Sequence, residues 1–186
     1  MPRLFTLLLT ATLALQAHAG PAEDLVQAAR AQIGVTLSYD PSYQRIAYPN
    51  GDVPLETGVC TDVIIRAYRA IGIDLQQRVH EQMRAEKKAT DRNIDHRRVP
   101  NLAAYFRQHG TVLQPSDKPA SYLPGDVVTW RLQGGLNHIG IVSDQVSRNG
   151  TPLVVHNIGL GAQLDDILFA FPVTGHFRYL PTARSN

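Results

Sequence analysis

The pattern of apolar and polar positions divides the chain into a helical first half and a strand-rich second half. Apolar residues spaced three and four apart predict helices over 21–33, from Cys60 to near Gly72, over 75–88 and over 102–109. Short runs rich in valine, isoleucine and aromatic residues predict strands over 125–132, 138–143, 153–157 and 176–180. Helices followed by an antiparallel sheet indicate an α+β fold, with the N-terminal helices packed on one face of a small antiparallel β-sheet.

The N-terminal residues have the pattern of an export signal. Arg3 supplies a positive charge, Leu4 to Leu15 is apolar, and Ala17-His18-Ala19 has the small residues of a cleavage site. The apolar run is too short to span a bilayer comfortably. We therefore expect a signal peptide at 1–19, a single domain at 20–186, a periplasmic or secreted location and no stable membrane insertion.

Charge and composition exclude one class of partner. The formal net charge is only +2, and Lys and Arg are scattered along the chain. Acidic residues interrupt the one basic cluster, at 84–98, so it is typical of a solvated face rather than a nucleic-acid footprint. We expect no nucleic-acid partner, and we expect a monomer.

Cys60 is the only cysteine, so an internal disulfide is impossible. Gly58 to Asp62 leads directly into the apolar periodicity of the second helix, which places the sulfur in the first helical turn. There the unpaired backbone N–H groups and the helix dipole favour the thiolate. A free cysteine is more often a small buried apolar residue, but the export signal and the histidines downstream favour a nucleophile.

Two strands bring histidines to the same end of the predicted sheet. Asn149-Gly150 is a hairpin turn signal, so the start of the His138 strand lies beside the end of the strand that carries His156 and Asn157. Alternation puts His138 on the face opposite Ile139. The register decides whether His156 or Asn157 shares that face, and the sequence leaves both open.

A nucleophilic cysteine requires a nearby base, and the base requires a third polar group that holds its orientation. Cys60, His138 and either His156 or Asn157 can fill these roles. The backbone N–H of Cys60 can also donate to an oxyanion. The residues therefore predict acyl-transfer chemistry at a thiol.

Other polar residues have a structural and a functional interpretation. Asp62 in the first helical turn is more simply a cap than a catalytic group. The Asp95-His96-Arg97-Arg98 run is either a solvated loop or the source of an arginine that clamps a substrate carboxylate. His176 lines the cleft or caps the last strand. Among the loop aromatics, Tyr43 and Tyr48 are candidates for a substrate wall.

Several motifs together resemble known bacterial proteins. The segment GVCTDVIIRAYRAIGIDL looks like the nucleophile helix of cell-wall cysteine peptidases of the NlpC/p60 type. LPGDVVTW, NHIGIVSD and LVVHN resemble the strand that follows "PGD", the base strand and the third-residue strand of those peptidases. DRNIDHRRVPNL and VTGHFRY resemble, more narrowly, the bacterial family called domain of unknown function 1287.

The resemblance implies a papain-like core and an exported hydrolase that cleaves an amide bond in peptidoglycan stem peptides. It implies that Cys60 is the nucleophile, His138 the base and His156 the orienting residue, with no cofactor or metal. The candidate substrate-binding residues are Asp62, Asp95, His96, Arg97, Asn157 and His176. The better-known peptidases usually have Asp-Cys-Ser-Gly, whereas this chain has Val59-Cys60-Thr61-Asp62, so substrate choice need not carry over.

Three other functions stay open at this stage. A zinc hydrolase could use the scattered histidines and Cys60 as ligands, although no short-spaced ligand motif is present. A binding module for the cell wall or a partner could retain the same cleft without catalysis. A thiol acyltransferase would share the acyl-thioester step and pass the acyl group to an amine.

Overall fold

Four α-helices and a six-stranded sheet form most of the region that the structure, a computed structural model, describes: residues 20–180. The predicted signal peptide lies outside the described residues. The helices are α1 (Pro21–Arg30), α2 (Cys60–Ala70), α3 (Leu75–Ala85) and α4 (Val99–His109). The strands are β1 (Ser38–Tyr39), β2 (Thr57–Gly58), β3 (Thr111–Leu113), β4 (Val127–Arg131), β5 (Asn137–Val146), β6 (Pro152–His156), β7 (Gln163–Asp165) and β8 (Val173–Arg178).

The large sheet has the order β3-β8-β4-β5-β6-β7, and every neighbouring pair is antiparallel. Its four longest strands fall on the predicted strand segments, whereas the edge strands β3 and β7 were not predicted. A separate parallel pair, β1 with β2, ties together the two ends of the turn-rich loop before the cysteine. This pairing places Tyr39 directly beside Gly58.

The helices cover one face of the sheet, as expected. The main core joins α1, α2, α3 and α4 to the sheet residues Val127, Ile139, Ile141, Val155 and Phe177. A smaller apolar cluster on the other face contains Tyr122, Val128, Trp130, Val142, Val154 and Leu168. Side chains that alternate along the strands therefore pack into two cores, one on each face of the sheet. Burial of each aliphatic side chain stabilises the folded state by about 1.5–3 kcal/mol.

Helix α2 lies at the centre of the fold, because every residue from Cys60 to Tyr68 is buried. The residue before it, Val59, is extended, and its N–H donates to the Asp62 carboxylate at 2.7 Å, which closes the first turn. The helix ends before Gly72, whose positive φ of 83° returns the chain toward the core. Cys60 is consequently held at the buried end of a fixed helix.

Within residues 20–180, none of the helices has the length and apolar character that crossing a membrane requires.

Candidate active site

Cys60 opens onto a cleft with a volume of ≈ 460 Å³. We call it the Cys60 cleft. Its walls come from the β1 region, the starts of α2 and α4, the turn before α4, and the start of β5. The lining residues are Tyr39, Pro41, Val59, Cys60, Ile94, Arg97, Arg98, Val99, Pro100, Asn101 and Asn137.

The thiol of Cys60 is only 4% exposed. Burial, the largest influence, and the nearby Asp62 carboxylate raise its pKa to about 12. Backbone N–H groups of Ile139, Thr61 and Cys60 itself act in the opposite direction. The resting group is therefore the thiol. The thiolate expected from the helix start is outweighed because the first turn of α2 is inside the protein.

His138 lies on β5 between two residues that face Cys60 or its cleft. The residue before it, Asn137, lines the Cys60 cleft, and the backbone N–H of the residue after it, Ile139, lowers the pKa of the Cys60 thiol. The His138 side chain is 2% exposed and packs near the ring of Trp130, its partner on β4, with ring centroids 5.7 Å apart. Within residues 20–180, His138 is not among the residues that line the cleft, so its imidazole lies behind the cleft wall.

His156, rather than Asn157, contacts His138. The two imidazoles are joined by a 2.9 Å contact between Nε2 of His138 and Nδ1 of His156. The β5–β6 register pairs Ile141 with Val155, so Gly140 comes next to His156. A Cβ on Gly140 would lie 3.3 Å from the His156 Cβ and closer still to Val154, so the glycine leaves room for the second imidazole.

Asp165 completes a chain of three side chains that we call the His138 chain: His138, His156 and Asp165. Nε2 of His156 is 3.1 Å from the Asp165 carboxylate. A carboxylate only accepts, so the neutral His156 carries its proton on Nε2 and accepts at Nδ1. His138 must then donate from Nε2, which leaves its Nδ1 with a free lone pair. The chain sets the tautomer that a general base needs.

Both imidazoles of the chain are neutral in the resting site. Burial, together with the neighbouring His156, lowers the pKa of His138 to about 3. Burial also lowers the pKa of His156, although the Asp165 carboxylate partly opposes the shift. The thiol and both imidazoles are therefore uncharged in the resting protein.

Asp62 and Arg97 form a buried ion pair beside Cys60. The guanidinium of Arg97 donates to both Asp62 oxygens at 3.0 Å, and the two side chains are 4% and 2% exposed. Arg97 also donates to the carbonyl oxygens of Asp40 and Ser42 at 3.1 Å. Asp62 thus caps α2 and anchors the turn before α4, and Arg97 reaches the cleft with its charge already matched.

The rest of the Asp95–Arg98 run points in different directions. Asp95 accepts from the Asp91 N–H and lies 2.8 Å from Nδ1 of His80, away from the Cys60 cleft. His96 is buried, and burial first, then Arg97, lowers its pKa to about 4. Arg98 is exposed and lines the cleft.

Asn157 and His176 occupy structural positions outside the cleft lining. The Asn157 amide donates to the Gly58 carbonyl at 3.0 Å, which ties the end of β6 to the segment before Cys60. His176 lies on β8, where its Nε2 is 2.7 Å from the buried Asp126 carboxylate. That carboxylate precedes β4, whereas His138 is paired with the other end of the same strand.

Three site residues were not singled out from the sequence: Tyr39, Asn137 and Asp165, whereas Arg98 belongs to the polar run that was. The loop tyrosines proposed as a substrate wall do not line the cleft; Tyr43, for example, donates to Asp91 at 2.9 Å. Tyr39 takes that place because β1 pairs beside Gly58. Asn137 was detectable as the neighbour of His138, whereas Asp165 had no signal, since it depends on the pairing of β7 with β6.

In the described part of the chain, no group of three or more His, Cys, Asp or Glu side chains is arranged to hold a metal ion.

Comparison with known proteins places the chain in a family. A family model described as Domain of unknown function (DUF1287) matches residues 26–179. The chain belongs to this family. The Escherichia coli (strain K12) relative "Uncharacterized protein YijF" is 52% identical to this DUF1287 protein over 164 residues, which cover 83% of this chain and 80% of the relative.

Solved structures show the fold. "Structure of NlpC1 from Trichomonas vaginalis" superposes with a TM-score of 0.51 at 15% identity and covers 90% of this chain but 47% of that one. NlpC2 from the same organism gives a TM-score of 0.49 at 16% identity over 90% of this chain and 49% of that one. The DUF1287 chain spans about half the length of these proteins. The likeness to NlpC1 confirms the predicted α+β fold with a papain-like, NlpC-type core.

Proposed function

We propose that this protein is an exported cysteine hydrolase that cleaves an amide bond in peptidoglycan stem peptides through an acyl-thioester on Cys60. One observation carries the proposal. The sole cysteine opens onto a cleft that is also lined by Asn137, the residue before His138, and His138 contacts His156, which contacts Asp165. Export rests on the N-terminal sequence pattern, and the wall substrate rests on the motif resemblance.

The neutral resting pair defines the first chemical step. As the Cys60 sulfur attacks the amide carbonyl carbon, Nδ1 of His138 takes the thiol proton, so that no free thiolate accumulates. The backbone N–H of Cys60, at the start of α2, donates to the developing oxyanion. The imidazolium charge that forms on His138 is stabilised through its Nε2–H bond to His156, whose own N–H donates to Asp165.

The second half of the reaction returns the site to its starting state. His138 gives its proton to the leaving amine nitrogen, the carbon–nitrogen bond breaks, and the acyl group remains on Cys60 as a thioester. A water molecule then loses a proton to His138 as it attacks the thioester carbonyl, the carbon–sulfur bond breaks, and His138 returns the proton to the Cys60 sulfur. The products are a new carboxylate, a free amine and the Cys60 thiol. This sequence uses only side chains, backbone groups and water.

The test is digestion of purified peptidoglycan with the mature protein, 20–186, followed by identification of the products by mass spectrometry. We expect new peptide fragments whose masses correspond to addition of water across one amide bond. Cys60→Ala and Cys60→Ser serve as matched controls, because serine keeps a hydrogen-bonding group of similar size. Neither control should yield these fragments.

Other outcomes have definite meanings. Products in which the acyl group is joined to an added amine would identify an acyltransferase that uses the same thioester. Absence of cleavage by folded, reduced wild-type protein would overturn the wall-hydrolase proposal. Equal cleavage by Cys60→Ala would overturn the thiol mechanism.

A further inference from the structure

The Cys60 cleft has an unbalanced charge. In the described region, neither Asp nor Glu is among its lining residues, whereas two arginines are. The charge of Arg97 is matched by Asp62 within a buried pair. The charge of Arg98 has no such match, so the cleft carries one uncompensated positive charge near the nucleophile.

The side chain of Arg98 is exposed and makes neither a hydrogen bond nor a salt bridge to any described residue. The carboxylates closest in sequence or in the adjoining loop are engaged elsewhere. Asp95 is bound by His80 and by the Asp91 N–H. Asp40 accepts from the Ser42 N–H at 2.9 Å. The guanidinium is therefore available to a ligand in the cleft.

The start of α4 reinforces the same preference. Val99, Pro100 and Asn101 form the first residues of α4, and all of them line the cleft. Arg98 is the residue before α4, and no side chain caps that helix, whereas the Asp62 carboxylate already caps α2. The positive end of the α4 dipole and an unmatched guanidinium therefore face one cavity, which favours a bound anion.

We propose that Arg98 selects substrates that carry a carboxylate close to the scissile amide, and that it discriminates against the same substrates when that group is a carboxamide. A carboxylate can accept two parallel N–H bonds from a guanidinium, whereas an amide oxygen accepts them more weakly and brings its own donors. The proposal rests on the proposed function for its substrate, but the charge preference itself can be measured without hydrolysis.

The sole cysteine provides the measurement. Iodoacetate and iodoacetamide alkylate a thiol by the same displacement of iodide and differ only in a carboxylate against a carboxamide. The rate of each is followed at Cys60 by intact mass, and the iodoacetate-to-iodoacetamide ratio is compared between variants. We expect Arg98→Gln to lower this ratio about fivefold, and Arg98→Glu to lower it further, as loss or reversal of one nearby charge predicts.

Arg148→Gln is the matched control. It removes the same charge from an exposed position in the β5–β6 turn, at the end of β5 opposite His138, so its ratio should equal that of wild type. A ratio that Arg98→Gln leaves unchanged, or that Arg148→Gln lowers equally, overturns the proposal.

A second measurement does not depend on alkylation, which can be slow at a buried thiol. Cys60→Ala protein is titrated with a synthetic stem-type tetrapeptide that has free carboxylates and with its fully amidated form. We expect the free-acid peptide to bind about fivefold more tightly, and Arg98→Gln to abolish the difference. Equal binding of both forms overturns the role of Arg98. Charge selection without any cleavage of peptidoglycan would instead refute the proposed function alone.

Discussion

Two buried histidine–carboxylate groups lie at opposite ends of β4 and differ in how the carboxylate is held. In the group that we call the Asp126 cluster, Asp126, His176 and Arg178, the carboxylate is fully buried and contacts His176 and Arg178 at 2.7 Å. In the His138 chain the carboxylate of Asp165 is 45% exposed and separated from His138 by a second imidazole.

The difference is one of charge: one group holds an ionised carboxylate beside a guanidinium, and the other holds a neutral imidazole, which the proposed mechanism requires. Burial opposes ionisation of Asp126, but bonds from His176, Arg178 and the Leu123 N–H outweigh it and lower the pKa of the carboxyl. The carboxylate is therefore charged at neutral pH and joins β8 to the start of β4. His138 instead has a lowered pKa and no charged partner. Its imidazole is therefore neutral, as the general base of the proposed mechanism must be before it takes up a proton.

The largest expected effect is on catalysis at the His138 chain. His138→Gln removes the base while it keeps a polar side chain near His156, and we expect kcat/KM to fall by about 10²–10⁴-fold. Cleavage is measured on isolated stem peptides, and a urea unfolding curve checks that the variant is folded. His176→Gln is the paired control, and its activity per folded molecule should match wild type. Loss of activity in folded His176→Gln, with activity retained in His138→Gln, would instead assign the catalytic role to the Asp126 cluster.

The second effect is on stability at the Asp126 cluster. Asp126→Asn leaves His176 and Arg178 without their carboxylate, and we expect the free energy of unfolding at pH 7 to drop by about 3 kcal/mol. Because the pKa of Asp126 is lowered from its usual 3.8, this stability is present above pH 3.8 and is lost as the pH falls through the folded-state value. Urea unfolding of both proteins at pH 7 and pH 3 measures it.

In that experiment the difference in unfolding free energy between wild type and Asp126→Asn should narrow at pH 3, since the carboxyl group is then largely protonated in the unfolded wild-type chain. A gap that is independent of pH would mean that packing, rather than the carboxylate charge, is responsible.

A smaller effect is expected at the exposed end of the His138 chain. Asp165→Asn weakens the control of the His156 tautomer, and we expect kcat to fall about 10- to 100-fold with folding intact. Asp165→Glu keeps a carboxylate acceptor, so its kcat should lie between those of Asp165→Asn and wild type. If Asp165 had only a structural role, no such partial recovery would be expected. If Asp165→Asn and wild type have equal kcat across the pH range, the chain ends functionally at His156.

Several features of the fold and the candidate site could be predicted from the spacing of apolar residues and from the turn residues. The start of α2 at Cys60 and the hairpin that brings His138 near the end of β6 follow from local patterns. The choice between His156 and Asn157 did not, because a one-residue change of register exchanges the two faces. The register became visible only with the Ile141–Val155 pair.

Long-range effects account for the rest. Asp165 depends on a three-residue edge strand too short to give a periodic signal, and Tyr39 depends on a two-residue pairing. Arg97 was expected in a loop, and only tertiary packing reveals that Asp62 holds it. The thiol pKa was misjudged for the same reason, since the dipole of α2 is a local feature and burial of its first turn is not.

The most direct test of a thiol mechanism is the intact mass of the protein during turnover. Wild-type protein is mixed with a stem peptide, quenched in acid within the first turnovers and compared with Cys60→Ala treated identically. The mechanism predicts an added mass equal to the acyl half of the peptide, located on Cys60, and neither adduct nor cleavage in the variant. Cleavage by Cys60→Ala at the wild-type rate would contradict it.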